Sequence, residues 1–349
     1  MGLLLALWWS SLLFAAGALL WMCGLILARV MRGRTDRARL ADREAVMSAY
    51  LAIMTGAGDA TGRLRPYQRR ARLLAETLLE LLGLVRGAER DLLIAGLEGL
   101  HIDDRFRDRL SQGSRTGRLA AAEALEAFPG EDTRRALQRL YRTARDPELR
   151  IAAVRALIEI GAAPSIDTVL RNLEHHDQTE SPLHGPILRR LVADAPDAAL
   201  AAFDRTDFSP AACAVLADAL GASGDYRAVA LLTPRASVPN PIVRAAAVRA
   251  LGMLGHPAAK AALLPAFEDR EWEVRAEACE AAGRIADGLY APCLERRLAD
   301  EEWWVRFRAA EALAALGVAG IERLRAASRS EVDVVQRAAS MALAERGLQ

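Results

Sequence analysis

Only 5% of this 349-residue chain is aromatic, so its interior has to be assembled from Ala, Leu and Val, as helical repeats allow. Its four cysteines (Cys23, Cys213, Cys279 and Cys293) are scattered without CxxC spacing. That speaks against both a disulfide framework and a thiolate zinc site. Lysine is nearly absent, Lys260 being the only one, so positive charge is carried by arginine and the net charge is +1. There is no Gly-rich phosphate loop, no HExxH pair and no nucleophile elbow, which removes the usual sequence support for nucleotide, zinc-hydrolase and serine-hydrolase chemistry.

What the chain does have is a 31-residue repeat. The segment beginning Val243-Arg244 returns at Val274-Arg275 and again at Val305-Arg306. With the Val as position zero, the template asks for a small residue at +4, Ala at +7, an aliphatic at +8 and often Gly near +12. Copies at Gly117, Leu149 and Val335 fit, and weaker ones start near Leu183 and Ala212. Successive spacings are 32, 34, 29, 31, 31, 31 and 30 residues. Positions 0, +4, +7, +8 and +11 share one face of a 3.6-residue helix. A looser apolar stretch precedes each copy, and glycines such as Gly161, Gly255 and Gly317 suit the left-handed residue that ends a helix. Each unit is therefore predicted to be an antiparallel helix pair, stacked on its neighbours in an α-solenoid.

The stretches Asp269-Arg-Glu-Trp-Glu-Val-Arg275 and Asp300-Glu-Glu-Trp-Trp-Val-Arg306, each followed by the Ala/Leu pattern, resemble the HEAT-repeat family, in particular the short HEAT-like repeats of phycobilin lyases. The resemblance covers roughly residues 102–349. It implies an all-α solenoid and says little about function, because one fold serves many purposes.

Residues 2–28 carry no charge. As a helix they span about 40 Å, more than the roughly 30 Å hydrocarbon core of a bilayer, and Trp8 and Trp9 suit an interface. A cleaved signal peptide is the rival, but no basic residue precedes the run and its length exceeds a usual signal core. Arg29, Arg32, Arg34, Arg37 and Arg39 follow at once, and residues 29–75 hold eleven arginines against four carboxylates. The positive-inside rule then puts the repeats in the cytoplasm. The expected organisation is a transmembrane helix over 1–30, a basic juxtamembrane cap over 31–100 and a solenoid over 101–349. Helices are expected in the cap at Arg39–Met54, Pro66–Val85 and Ala88–Leu97, with a turn or linker over Gly56–Gly62.

Candidate chemistry is sparse. Glu174, His175, His176, Asp177 and His184 bear metal-ligating groups, yet they sit in a polar insertion that reads better as an interhelical loop. His101-Ile-Asp103-Asp104 reads as a helix start with capping carboxylates. No metal, cofactor or small-molecule substrate is expected, and nucleic acid is not, since the repeat array is net acidic. Arginine recurs at +1 (Arg118, Arg150, Arg244, Arg275, Arg306). A basic ladder for an acidic ligand competes with ion pairing to Asp146, Glu271 and Glu302 four residues earlier, and the pairing is preferred.

The aromatic set Trp272, Trp303, Trp304 and Phe307 is more informative. Trp272 and Trp303 stand at −2, where other copies have Pro147 and Pro241, and so belong to the first turn of the inner helix. Phe307 at +2 points away from the apolar face, toward a concave surface where exposed aromatics serve as binding hot spots. Position +6 shares that surface and carries Arg155, Arg249, Glu280 and Glu311, basic in the middle and acidic later. Prolines cluster over 171–212 (Pro182, Pro186, Pro196, Pro210), where a hinge, a recognition loop and sequence drift all remain open.

Together these features point to a membrane-anchored cytoplasmic scaffold that binds a protein partner without catalysis of its own. Its partner-binding residues are expected to be Trp272, Trp303, Trp304, Phe307, Arg249, Glu280 and Glu311. An accessory subunit of an envelope complex (polysaccharide synthesis or secretion) is the narrower alternative, and a bilin-lyase-like protein the enzymatic one.

Overall fold

The computed structural model describes residues 37–56, 60–175, 184–205 and 207–347, with Trp8, Trp9, Gly17, Trp21 and Met22 of the N-terminal run. No strand occurs among the described residues. The chain divides into two compact units, 1–161 and 162–349.

The first unit contains α1 (37–55), α2 (Ala60–Leu64), α3 (Ala71–Leu82), α4 (Ala88–Gly99), α5 (Ile102–Ser111), α6 (Arg115–Ala124), α7 (Glu131–Thr143) and α8 (Pro147–Glu159). The expected helix Pro66–Val85 is shorter, because Arg65–Tyr67 forms a separate 3-10 turn around Pro66. The expected Gly56–Gly62 turn narrows, since Ala60–Leu64 is already helical. The carboxylates at the start of α5 do not cap it. Asp103 and Asp104 both pair with Arg107, and His101 precedes the helix in a left-handed conformation. α3, which the template does not recognise, packs along α6 in the way that α6 packs along α8.

The second unit contains α9 (Ile166–His175), α10 (Gly185–Asp194), α11 (Pro196–Asp204), α12 (Pro210–Ser223), α13 (Ala228–Arg235), α14 (Pro241–Leu254), α15 (Lys260–Ala266), α16 (Trp272–Ile285), α17 (Ala291–Arg297), α18 (Trp303–Ala315), α19 (Val318–Ala327) and α20 (Asp333–Glu345). The inner helices α12, α14, α16, α18 and α20 stack in sequence, each paired with the outer helix before it. The weak copies at Leu183 and Ala212 are the inner helices α10 and α12. Their prolines open helices: Pro196 and Pro210 are first residues and Pro186 a second, positions whose missing N–H costs nothing. Pro182, His176 and Asp177 lie outside the described residues.

Side-chain caps start four of the inner helices. Ser114, Asp146, Ser209 and Asn240 accept hydrogen bonds from the first-turn N–H groups of α6, α8, α12 and α14, which otherwise lack intrahelical partners. Position +12 ends the copies with a positive φ, at Gly161, Gly224, Gly255, Gly317 and Gly347. In α16 that place is held by Ala286, at φ 56°. Position +9 sets the spacing of the stack. A methyl group at Gly221, Gly252 or Gly283 would lie 2.6, 2.6 or 2.9 Å from the Cα of Ala250, Ala281 or Ala312 on the next inner helix. Backbones this close leave no space for a side chain.

The expected membrane helix falls almost wholly outside the described residues. Among those described, no helix is long and apolar enough to cross a membrane.

Candidate functional site

The arginines at +1 tie loops together. Arg275 is buried and donates two hydrogen bonds to the Asp300 carboxylate, both 2.8 Å. Its remaining nitrogen donates to the carbonyls of Asp269 and Arg270 in its own loop. Arg244 repeats the pattern with Asp269 and the carbonyls of Val238 and Pro239. Asp269 and Asp300 also accept from the N–H groups of Glu271 and Glu302. Ion pairing therefore holds for Arg244 and Arg275 of the ladder, with partners that differ from those the sequence suggests. A guanidinium four residues into a helix reaches back over the loop, where carbonyls at −5 and −6 and the Asp of the following unit converge, and not to the residue at −4. The hydrogen bonds that Arg244 and Arg275 donate to Asp269 and Asp300 raise the pKa of the two guanidinium groups. Arg306 and Arg150 have only the carbonyls. Arg150 is 2% exposed with one Nη unpartnered, and burial lowers its pKa.

The charges at +6 are likewise committed. Arg155 pairs with Glu123 and Glu126. Arg249 bridges Asp218 on α12 and Glu277 on α16, both at 2.8 Å. Glu280 meets Arg284 and Arg308, and Arg308 also approaches Glu311. The inner helices therefore carry paired charge, and the expected succession of basic then acidic surface is neutralised from one helix to the next. Burial, opposed by Arg249, raises the pKa of both Asp218 and Glu277.

The aromatic residues separate into two groups. Trp272 and Trp303 are the first residues of α16 and α18, where α8 and α14 have Pro147 and Pro241. Trp272 is half-buried and stands apart from the others. Trp303, Trp304 and Phe307 form one cluster. The Trp303 and Phe307 rings stack at 5.2 Å, while Trp304 meets them edge-on at 4.6 and 6.0 Å. Trp303 is 46% exposed and Trp304 50%. A cavity of about 340 Å³ opens beside the stacked pair, closed on its far side by Val334, Arg337, Ala338 and Met341 of α20. Arg337 and Met341 are additional candidates. They occupy +2 and +6 of the last copy, the positions that single out Phe307 and Glu311, so the template itself contained the signal. An apolar lining, exposed indole edges and two arginines, Arg306 and Arg337, suit the side chains of a peptide segment.

The polar insertion holds no assembled site among the described residues. The Glu174 carboxylate accepts from the Ser209 N–H and thereby anchors the start of α12, and His184 is buried at the start of α10. Cys213 and Cys279 are buried, and desolvation pushes both thiols up.

Comparison with known proteins follows the same lines. The profile for HEAT repeats matches residues 104–180, 196–272 and 261–344. No curated protein matches the sequence. Among solved structures, the karyopherin Kap121p bound to the extreme C-terminus of the protein phosphatase Cdc14p is 16% identical, with a TM-score of 0.53 over 87% of this chain and 44% of that one. Kap121p bound to Pho4p is 16% identical with a TM-score of 0.55, over 88% of this chain and 44% of that one. The chain thus spans less than half the length of these karyopherins, and the likeness is one of fold.

Proposed function

The chain belongs to the HEAT-repeat family, and on that footing we propose that it is a membrane-anchored scaffold whose cytoplasmic repeats dock a protein segment at the α18–α20 aromatic cluster. The observation that carries the docking site is the stacked, half-exposed Trp303–Phe307 pair beside the cavity. On the neighbouring inner helices Arg249, Glu280 and Glu311 face opposite charges, whereas these rings present apolar surface to solvent. The karyopherin structures, of the same fold class, were solved bound to the extreme C-terminus of Cdc14p and to Pho4p.

Anchoring rests on the uncharged run 2–28 and the arginines after it; Trp8, Trp9 and Trp21 within that run are helical and exposed. We read the chain as non-catalytic. The buried, high-pKa thiols of Cys213 and Cys279 are poor nucleophiles, and Glu174 is committed to a helix start.

The test is co-purification from membranes with the full chain carrying Trp304→Ala and Phe307→Ala. Circular dichroism should be unchanged and the associated protein lost. Retention of the same partner by the folded variant would overturn the docking site. An active C-terminal alkaline phosphatase fusion would overturn the cytoplasmic orientation.

A further inference from the structure

We propose that the cleft between α1 and the start of α3 binds the phosphate group of an anionic lipid headgroup. The cleft encloses about 520 Å³ and is lined by six arginines, Arg39, Arg43, Arg69, Arg70, Arg72 and Arg109. Only two carboxylates, Asp42 and Glu76, join them on its walls. A concave surface lined by one sign of charge focuses the field and concentrates counter-ions.

The pairing within the cleft is incomplete, in contrast to the inner helices of the repeats. Arg70 pairs with Asp42, Arg72 with Glu76, and Arg43 with Glu80. Among the described residues Arg39 and Arg69 make no ion pair. They are exposed and sit on opposite walls, one on α1 and one just before α3. Arg109 lines the cleft from α5, with its guanidinium packed against Gly113 and Gly117. Two guanidinium groups with no ion pair, one on each of two elements of an arginine-lined cleft, suit a tetrahedral oxyanion, which accepts bidentate bonds from arginine.

The remaining lining indicates what carries the anion. Leu40 is 58% exposed at the mouth, with Ala71 and Leu73 beside it, so an apolar edge adjoins the cationic floor. A glycerophospholipid offers a phosphate and an acyl chain in that order, whereas a free phosphate has no use for the leucines. Arg39 also follows the uncharged run 2–28 by only eleven residues. The lipid source rests on the anchoring proposed above; the anion site does not.

The experiment is calorimetric titration of the purified full chain in uncharged maltoside micelles with dihexanoylphosphatidylglycerol, dihexanoylphosphatidylcholine and inorganic phosphate. Phosphatidylglycerol should bind, and increasing salt should weaken it. Arg39→Gln and Arg69→Gln should each reduce affinity about 5-fold, and the double variant about 25-fold. Arg134→Gln with Arg135→Gln removes the same charge from α7, where both residues pair with Glu131, and should leave binding unchanged. Equal affinity for the zwitterionic lipid, full binding by the folded double variant, or equal loss in the α7 control would each overturn the site. Phosphate binding as tightly as phosphatidylglycerol would overturn the lipid source. An anchoring failure shows separately, as recovery of the full chain in the soluble fraction when cells are lysed without detergent.

Discussion

Replacing Arg275 by alanine should destabilise the second unit by about 3 kcal/mol, the low end of the range for breaking a buried ion pair. The magnitude follows from what is left behind. Asp300, whose side chain is 2% exposed, loses both of its 2.8 Å bonds and keeps only Arg297 and the Glu302 N–H. The carbonyls of Asp269 and Arg270 lose their donor in the same step. Arg297 stays in reach, which is why the upper end of the range is not expected. Arg306 is the internal control, because it bonds only two carbonyls and no carboxylate. Arg306→Ala should cost about 1 kcal/mol, the ordinary value of hydrogen bonds without a stranded charge. Thermal unfolding followed by circular dichroism should show Arg275→Ala lowering Tm by roughly 6–12 °C, and Arg306→Ala by about a third of that. Arg275→Met with Asp300→Leu should recover most of the loss, since an apolar pair of similar volume strands no charge. Acid adds a second test. Burial, the largest single influence, would raise the pKa of Asp300, but the bonds from Arg275 and the Glu302 N–H, with the charges of Arg275 and Arg297, together hold it below the usual carboxylate value. This stabilisation is therefore complete above the unfolded pKa of about 4 and is lost as pH falls through the lower folded value. Below that, the gap between wild type and Arg275→Ala should shrink to about that of Arg306→Ala, since only the carbonyl bonds are then missing. Equal losses for Arg275→Ala and Arg306→Ala at neutral pH, or an undiminished gap in strong acid, would refute the reasoning.

Two further outcomes follow from the glycine positions. Gly252→Val should lower stability by about 1–3 kcal/mol in chemical denaturation, because any Cβ there meets the Ala281 backbone. Ala286→Gly should raise it by about 1 kcal/mol by the same measurement, since a left-handed φ of 56° penalises a side chain that the copies ending at Gly161, Gly224, Gly255, Gly317 and Gly347 omit.

Repetition made the architecture legible. A single amphipathic helix would say little, but the Val-Arg copies at 243, 274 and 305 superimpose small residues that only close helix packing explains. The ends of the helices were legible for the same reason, from Pro147 and Pro241 at one end and Gly255 at the other. The identity of the arginine partners was not. Asp269 and Asp300 lie 25 residues beyond Arg244 and Arg275, a separation that becomes a contact only once the outer helix between them has been placed. Nor was the neutralisation of the +6 charges, since Arg249 finds its partners on two other helices, at Asp218 and Glu277.

This pairing changes what a charged residue in the repeats signifies. Arg249, Glu280 and Glu311 looked like a recognition surface when each copy was read alone, but in the stack each approaches an opposite charge from a neighbouring turn or helix. A partner using them would have to break existing bonds, so they contribute more to holding the stack together than to attracting a ligand. Surface that is free to act has to be unpaired within the fold, and the two proposed sites meet that condition beside a cavity. At Trp303 and Phe307 the unpaired quantity is apolar area; at Arg39 and Arg69 it is charge. The first lies where a copy exceeds its template, the second in helices that the template does not describe.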